Sequence, residues 1–385
     1  MASTSSKELL GYCLRGEQWP HELLRELTKS PDLFRVVAEG LADRFEPALC
    51  DTYAALFSEA LSIVEPAFHP EMLVARYRQI RIPRKFTGPD PKNVFVLSRV
   101  TLGADVAITS IILDAVKKRF PSARIFLAGA RKAWELFEAD PRIEHLAVTY
   151  PRDGTLLERA NALRGSVAQP DSITIDPDSR LTQLGLVPVC ADDSYYFFES
   201  RAYGGDSDDS LGELTKRWIA ETFEIGDCSA YIAPKGAEIG ADVTVSLGVG
   251  ENPAKRIADP FESGLLRHLS KLPVLIDKGA GGEEAERVEE AIAGLSNIRC
   301  WEGAFAPFAA AIAKSRLYVG YDSAGQHVAA ACGVPLVSVF AGFPSPRMFA
   351  RWRPAGEVVR VANSDPNEVL ERTLQAIGKY GIIHS

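Results

Sequence analysis

At 385 residues, with 46% hydrophobic and 24% charged side chains, the chain is long enough for two or three domains, each with its own core, and a single small module is excluded. The net charge is -8 and no run of lysine and arginine forms a phosphate-tracking stripe, so nucleic acid is not an expected partner. Six cysteines, Cys13, Cys50, Cys190, Cys228, Cys300 and Cys332, stand apart without CxxC pairs, which argues against a zinc site or a disulfide framework and for a reducing cytosol. The opening stretch "MASTSSKELLGYCLRGEQWP" lacks the basic and then apolar regions of a secretory signal, and no apolar run approaches the ~20 residues that span a bilayer. The expectation is a cytoplasmic protein, with peripheral contact at the inner face of the membrane left open.

Residues 5–82 carry helical spacing and nothing that reads as a strand. "HELLRELTKSPDLFRVVAEGLADRF" sets Leu23, Leu24, Leu27, Leu33, Val36, Val37 and Leu41 at helix-like intervals, and Ser30 before Pro31 marks a helix start. A bundle of four or five short helices is expected, ended by the turn-rich "RIPRKFTGPDPKN". From Asn93 short β-rich runs alternate with amphipathic segments. "NVFVLS", "ARIFLAG", "IEHLAVTY" and "DSITID" read as strands, with helices at 105–119, 131–138 and 154–167. After the acidic "ESRAYGGDSDDSLGEL", a helix leads into a hinge, "GDCSAYIAPKGAEIG", and the pattern restarts with "DVTVSLG", "KLPVLIDKG", "NIRCWEG", "SRLYVGY" and "PLVSVF".

The expected fold is α/β: two doubly wound, Rossmann-like domains facing a cleft, preceded by an all-α unit. The boundaries are 1–88, 89–232 and 233–385, with the last helix, near 366–379, able to pack back on the middle domain. Ligands of such sheets lie beyond the carboxyl ends of the strands.

Four places there offer chemistry. In "YVGYDSAGQHVAAACGVPLVSVF" a helix is expected from Ser323 to Cys332, capped by Gly333. Its free first-turn amides suit a diphosphate, with Asp322 beside the start, a hydroxyl on Ser323, close approach at Gly325 and His327 in the same turns. "LGVGENPAKRIADP" adds Gly248 and Gly250 for backbone approach and Lys255 and Arg256 for charge. "DKGAGGEEAERVEEA" places Glu283 or Glu284 where its carboxylate would accept hydrogen bonds from the hydroxyls of a ribose. In "LSRVTLGADVAITS", Asp105 is a candidate general base, with Arg99, Thr101 and Thr109 as weaker candidates for holding an acceptor. Each also has a purely structural reading, since Asp, Ser and Glu are favoured at helix starts and glycines at turns.

Together these segments resemble glycosyltransferase family 9, the heptosyltransferase-like enzymes of the GT-B fold. "SRVTLGADVAITSIILDAVKKRFPSARIFLAG", "GVGENPAKRIADP" and "SRLYVGYDSAGQHVAAACGVPLVSVFAG" carry the likeness. The resemblance implies a nucleotide-sugar donor bound by the C-terminal domain, ADP-heptose first among them, and an acceptor hydroxyl on a glycan, lipid or protein bound by the domain before it. It also implies inverting transfer without a metal or other cofactor. By position, Asp105 would be the base and Lys255 would steady the diphosphate. Asp322 would contact the sugar or organise its loop, and Ser323 with the amides of Ala324 and Gly325 would bind phosphate, with His327 close by. The chain departs from the family in reading Gly103-Ala104-Asp105 where Gly-Asp is usual, Ile257 where tryptophan is usual and Ala324-Gly325 where Gly-Pro is usual. The helical region lies outside the family pattern, and docking a partner, self-association or an unusual acceptor are its candidate roles. The competing readings are a nucleotide-sugar-binding protein without transfer activity and a GT-B epimerase or hydrolase.

Overall fold

Alternation along the strands decides the layering. In the computed structural model, which describes residues 3–236, 239–250, 252–279, 281–362 and 365–382, strand β1 (Asn93–Leu97) turns Val94 and Val96 to one face and Phe95 and Leu97 to the other. Both faces are buried, as the near-continuous apolar run of a central parallel strand requires. Positions 237–238 of the connector between the α/β units, and 251 and 280 in the two glycine loops, lie outside the described residues.

β2 (Arg124–Gly129), β3 (Ile143–Ala147), β4 (Ser172–Asp176) and β5 (Tyr195–Phe197) join β1 in a parallel sheet of order β3-β2-β1-β4-β5. β6 (Val243–Ser246), β7 (Val274–Asp277), β8 (Ile298–Trp301), β9 (Leu317–Tyr321), β10 (Leu336–Phe340) and β11 (Glu357–Arg360) form a second parallel sheet, β11-β10-β9-β6-β7-β8. This is the doubly wound pair expected. The sequence reading missed β5, three residues inside an aromatic run, and β11, an edge strand with little burial.

Helices occupy the N-terminal region as expected: Thr4–Arg15, His21–Leu27, Glu39–Ala42, Pro47–Val64 and Pro70–Ile80, with a π-helical turn at Leu33–Ala38. Pro47 and Pro70 open their helices where a missing N–H costs nothing. The apolar stripe of these helices packs on the Phe95 and Leu97 face of the first sheet in one continuous core. Burying that stripe is what makes short helices stable, since isolated ones of this length are marginal in water. A buried ionic network adds to the seam: Arg81 pairs with Glu199 at 3.0 Å, and Tyr77 donates to the same carboxylate.

The opposite face is covered by the helical run from Leu102 to Arg119 and by Leu211–Phe223, whose Ser210 and Glu213 form a reciprocal cap. That core continues into the second unit through Val328 and Ala329 of the helix Ala324–Ala331. The last helix, Pro366–Gly378, packs on Phe261–Leu269, β10 and β11 within its own unit, rather than returning to the first. The return contact comes instead from Pro346–Trp352. Arg351 donates to the carbonyls of Ser207 and Asp209 at 2.8 and 2.6 Å, and Arg347 pairs with Asp206 at 3.0 Å. The acidic, glycine-rich passage of the sequence is thus the receiving surface for a basic segment of the other unit. Among the described residues, no helix is long and apolar enough to cross a membrane.

Candidate functional site

In each sheet the chain reverses its winding at one place, between β1 and β4 in the first and between β6 and β9 in the second, and loops leaving such neighbours part to open a crevice. The two crevices meet in a cleft of about 990 Å³. Val100 and Thr101 after β1, Tyr150 and Arg152 after β3, and Arg180 after β4 line it from the first unit. Gly248 to Gly250, Asn252 and Lys255 after β6 and Asp322 to Ala324 after β9 line it from the second.

At the second switch point the sequence motifs converge. The helix runs from Ala324 to Ala331 with Ser323 at its N-cap, Cys332 at its C-cap and Gly333 in the left-handed region at φ 67°, as the sequence predicts. Lys255, 67 positions away in sequence, sends its Nζ to the Asp322 carboxylate at 2.8 Å and to the Asp322 carbonyl at 3.0 Å. Gln326 donates to the other carboxylate oxygen, so Asp322 is fixed from both sides. Ser323 caps nothing with its side chain and lies 3.2 Å from the Tyr318 hydroxyl. A partly buried ammonium, a partly buried hydroxyl group and the first-turn amides therefore lie along one wall of the cleft, a combination suited to a diphosphate.

Other candidates fall elsewhere. Gly325 is required by packing: a Cβ there would stand 2.4 Å from the Tyr318 hydroxyl, so its displacement relative to the family pattern makes room for a buried tyrosine rather than for a ligand. His327 is buried behind the helix against Trp352, with ring centroids 5.7 Å apart, and burial lowers its pKa to about 4, so it is neutral. It lines a second cavity on the far side of the helix and not the cleft. Glu283 is exposed and away from the cleft. Its neighbour Glu284 reaches back and accepts from the Val249 amide at 3.0 Å, closing the glycine loop that Gly248 leaves open. Ile257, where tryptophan is usual in the family, is a core residue of the second unit.

Asp105 is the principal correction. Expected to face the cleft as a base, it is fully buried and does not line it. Its oxygens accept from Ser98 Oγ at 2.7 Å, the Arg99 amide at 2.8 Å and Thr109 Oγ1 at 2.9 Å. Burial raises its pKa to about 6 despite those donors. Asp105 opens a π-helical turn, Asp105–Thr109, within the helical run that follows β1. Asp105 instead anchors the loop after β1, where Val100, a β-branched residue, is held at φ 72°. That leaves Thr101 of the proposed acceptor group at the cleft. Thr109 is buried as a partner of Asp105, and the Arg99 guanidinium is spent on Pro177 O and Ser200 Oγ at 2.6 and 2.7 Å. Gly103 explains its own presence: a Cβ would lie 3.3 Å from Ala324 Cα and 3.2 Å from the His327 ring, because here the two units touch.

Sequence reasoning missed a third wall. Phe34, Arg35, Glu39 and Asp43, from the N-terminal helices, close the cleft opposite the switch points. No spacing signal marks them, because only the docking of the helices on the first sheet brings them there.

Residues 273–376 match the family profile described as glycosyltransferase family 9 (heptosyltransferase). Among curated protein sequences none matches the chain significantly. Among solved structures, a glycosyl transferase family 9 protein from Veillonella parvula superposes with a TM-score of 0.56 at 14% identity, over 75% of this chain and 98% of that one. E. coli heptosyltransferase WaaC, solved with ADP, gives 0.55 at 12% identity over 75% and 99%. E. coli ADP-heptose lps heptosyltransferase II gives 0.50 at 18% identity over 75% and 99%. At such identities the structural likeness is one of fold. The profile match supports glycosyltransferase activity and the architecture shows the GT-B fold, so the chain is heptosyltransferase-like: a GT-B protein with a segment similar to family 9 in its C-terminal domain and an additional helical layer at its N-terminus.

Proposed function

We propose that this protein is a cytoplasmic, inverting glycosyltransferase that moves a sugar, with heptose from ADP-heptose as the leading donor, onto an acceptor hydroxyl of a glycan, lipid or protein. The observation that carries the reading is the Lys255–Asp322 pair set at the start of the helix Ala324–Ala331, inside a cleft between two switch points. A departing nucleoside diphosphate accumulates negative charge, and a preorganised ammonium with helix amides stabilises that charge in the transition state more than in the ground state. Lys255, the Ser323 hydroxyl and the amides of Ala324 and Gly325 are the groups assigned to it, with no metal required by the proposal. Free thiols, none of them paired, agree with a reducing compartment. The structural relatives WaaC with ADP and WaaC with ADP-2-deoxy-2-fluoro heptose motivate the choice of donor.

Thermal shift and NMR titration of the full chain with ADP-, GDP-, UDP- and dTDP-sugars test the donor site. We expect ADP-heptose to stabilise the wild type and Lys255→Ala to lose about 10–100-fold in affinity, as removal of one charge-assisted contact does. No stabilisation by any of the four sugars ends the reading. A second reading, donor binding without transfer, is favoured by the burial of Asp105, the residue that matches the family's base. It predicts binding with no release of nucleoside diphosphate.

A further inference from the structure

We propose that Asp43, contributed by the N-terminal helical region, is the catalytic base that takes the proton from the attacking hydroxyl. The inference rests on the donor reading above and begins from the carboxylates that line the cleft. Among the described residues these are Glu39, Asp43, Asp153 and Asp322. Asp322 is held by Lys255 and Gln326, Asp153 is paired with Arg35 at 3.0 Å, and Glu39 is engaged. Asp43 alone of the four has neither a hydrogen bond nor an ion pair on its carboxylate. A half-buried carboxylate without a partner is costly unless something else occupies its lone pairs, and a substrate O–H is the kind of group that does.

Its backbone is fixed at the junction of all three regions. Asp43 ends the turn Glu39–Ala42, its amide donating to Glu39 O at 2.9 Å. The next carbonyl, Arg44 O, accepts from Ser345 Oγ at 3.2 Å, and Phe45, at φ 57°, places its ring edge-on to Trp352 with centroids 6.1 Å apart. The segment is thus pinned to the donor-binding unit while its side chain looks into the cleft. Arg180 from the first sheet's loops and Lys255, paired with Asp322, from the second line the cleft with it, Glu39 lies on its own helix, and the charges of Arg99 and Arg201 act on it from behind the cleft wall, where Arg201 is paired with Asp178. Burial nevertheless raises its pKa, which strengthens it as a proton acceptor. In the step, the acceptor oxygen bonds to the anomeric carbon as its proton passes to Asp43, and the bond from that carbon to the diphosphate oxygen breaks, releasing the nucleoside diphosphate with its electron pair. Water in place of the acceptor gives the free sugar by the same step. The burial of Asp105 then no longer implies an inactive protein.

The test uses the full chain, ADP-heptose with water as acceptor, release of ADP as the rate, and calorimetric binding of ADP. Asp43→Asn is expected to bind ADP within about twofold of wild type while losing ~10²–10⁴-fold in rate, the usual contribution of a general base. It should also lose the rise in rate with pH that ionisation of Asp43 imposes on the wild type, and Asp43→Glu should restore part of both. Turnover by Asp43→Asn within about threefold of wild type, or an unchanged pH profile, overturns the role of Asp43 and leaves the donor site standing. Parallel loss of ADP binding in both Asp43→Asn and Asp43→Glu also overturns it, because the residue is then structural. A wild type that does not bind ADP overturns the donor reading itself, and one that binds ADP but releases none from ADP-heptose overturns transfer and the base together.

Discussion

Asp105 and Asp322 both follow a strand that borders a switch point, Asp105 in the first turn of the helical run that starts at Leu102 and Asp322 directly before the N-cap of the helix Ala324–Ala331. Their fates are opposite. Asp105 turns inward, accepts from Ser98, Arg99 and Thr109 and braces the loop that carries Val100 and Thr101. Asp322 turns to the cleft, where Lys255 and Gln326 hold it. An aspartate at a strand-to-helix turn is therefore not a site by virtue of its position. Which donors the neighbouring loops supply decides whether it serves the fold or the ligand.

The comparison can be broken most directly by removing each carboxylate. Asp105→Ala strips the acceptor from three donors in a dry site, and a loss of about 3–5 kcal/mol in unfolding free energy is expected, read by denaturant titration. If the loss is below about 1 kcal/mol, the bracing role is wrong. Asp322→Ala takes the carboxylate acceptor from the buried Gln326 amide and one of two acceptors from the Lys255 ammonium, at a smaller cost of roughly 1–2 kcal/mol, because Lys255 keeps the backbone carbonyl at 322 and still reaches water in the cleft. Its larger effect should be on ligand: the Kd for ADP is expected to change by about 5–10-fold as Lys255 loses its anchor, whereas a folded Asp105→Asn should bind ADP as wild type does.

The smallest effect is one of pH. Folding raises the pKa of Asp105 from 3.8 to about 6 through burial, so the protonated form is the one the fold favours. The stability this contributes is full below 3.8 and is lost as pH rises through about 6. Asp105→Asn does not titrate, so the difference in Tm between wild type and variant should favour wild type most near pH 4 and least above about pH 7. A difference independent of pH would mean that Asp105 keeps an ordinary pKa and is not desolvated.

Much of this was legible in the chain. The run of strands was visible because parallel strands buried on both faces are short apolar blocks between glycine and polar turns, and β1 and β9 stand out for that reason. The helix Ala324–Ala331 was delimited correctly because both ends carry local signals, a serine start and a glycine at positive φ. β11 escaped because an edge strand of four residues, of which only Val359 is buried, has no such contrast. His327 was misplaced for a different reason: it lies one turn from Ala324, which does reach the cleft, and helical geometry alone does not say which side of the helix meets the ligand, whereas Glu283 belongs to a helix none of whose residues lines the cleft.

The sequence by itself determined what local physics controls: the alternation of strands and helices, the helix start at Ser323, the positive charge at Lys255 and the apolar stripe that obliges the N-terminal helices to find a partner. Only the tertiary structure decided where those helices dock, and with that the third wall of the cleft and the open carboxylate of Asp43. It also decided that Asp105 is enclosed and that Lys255 meets Asp322. The physical reason is that burial and partnership depend on how loops and layers pack: Asp105 takes its donors from its own loop and is enclosed by the layers around it, while Lys255 and Asp322 meet across 67 residues, and no periodicity encodes either outcome.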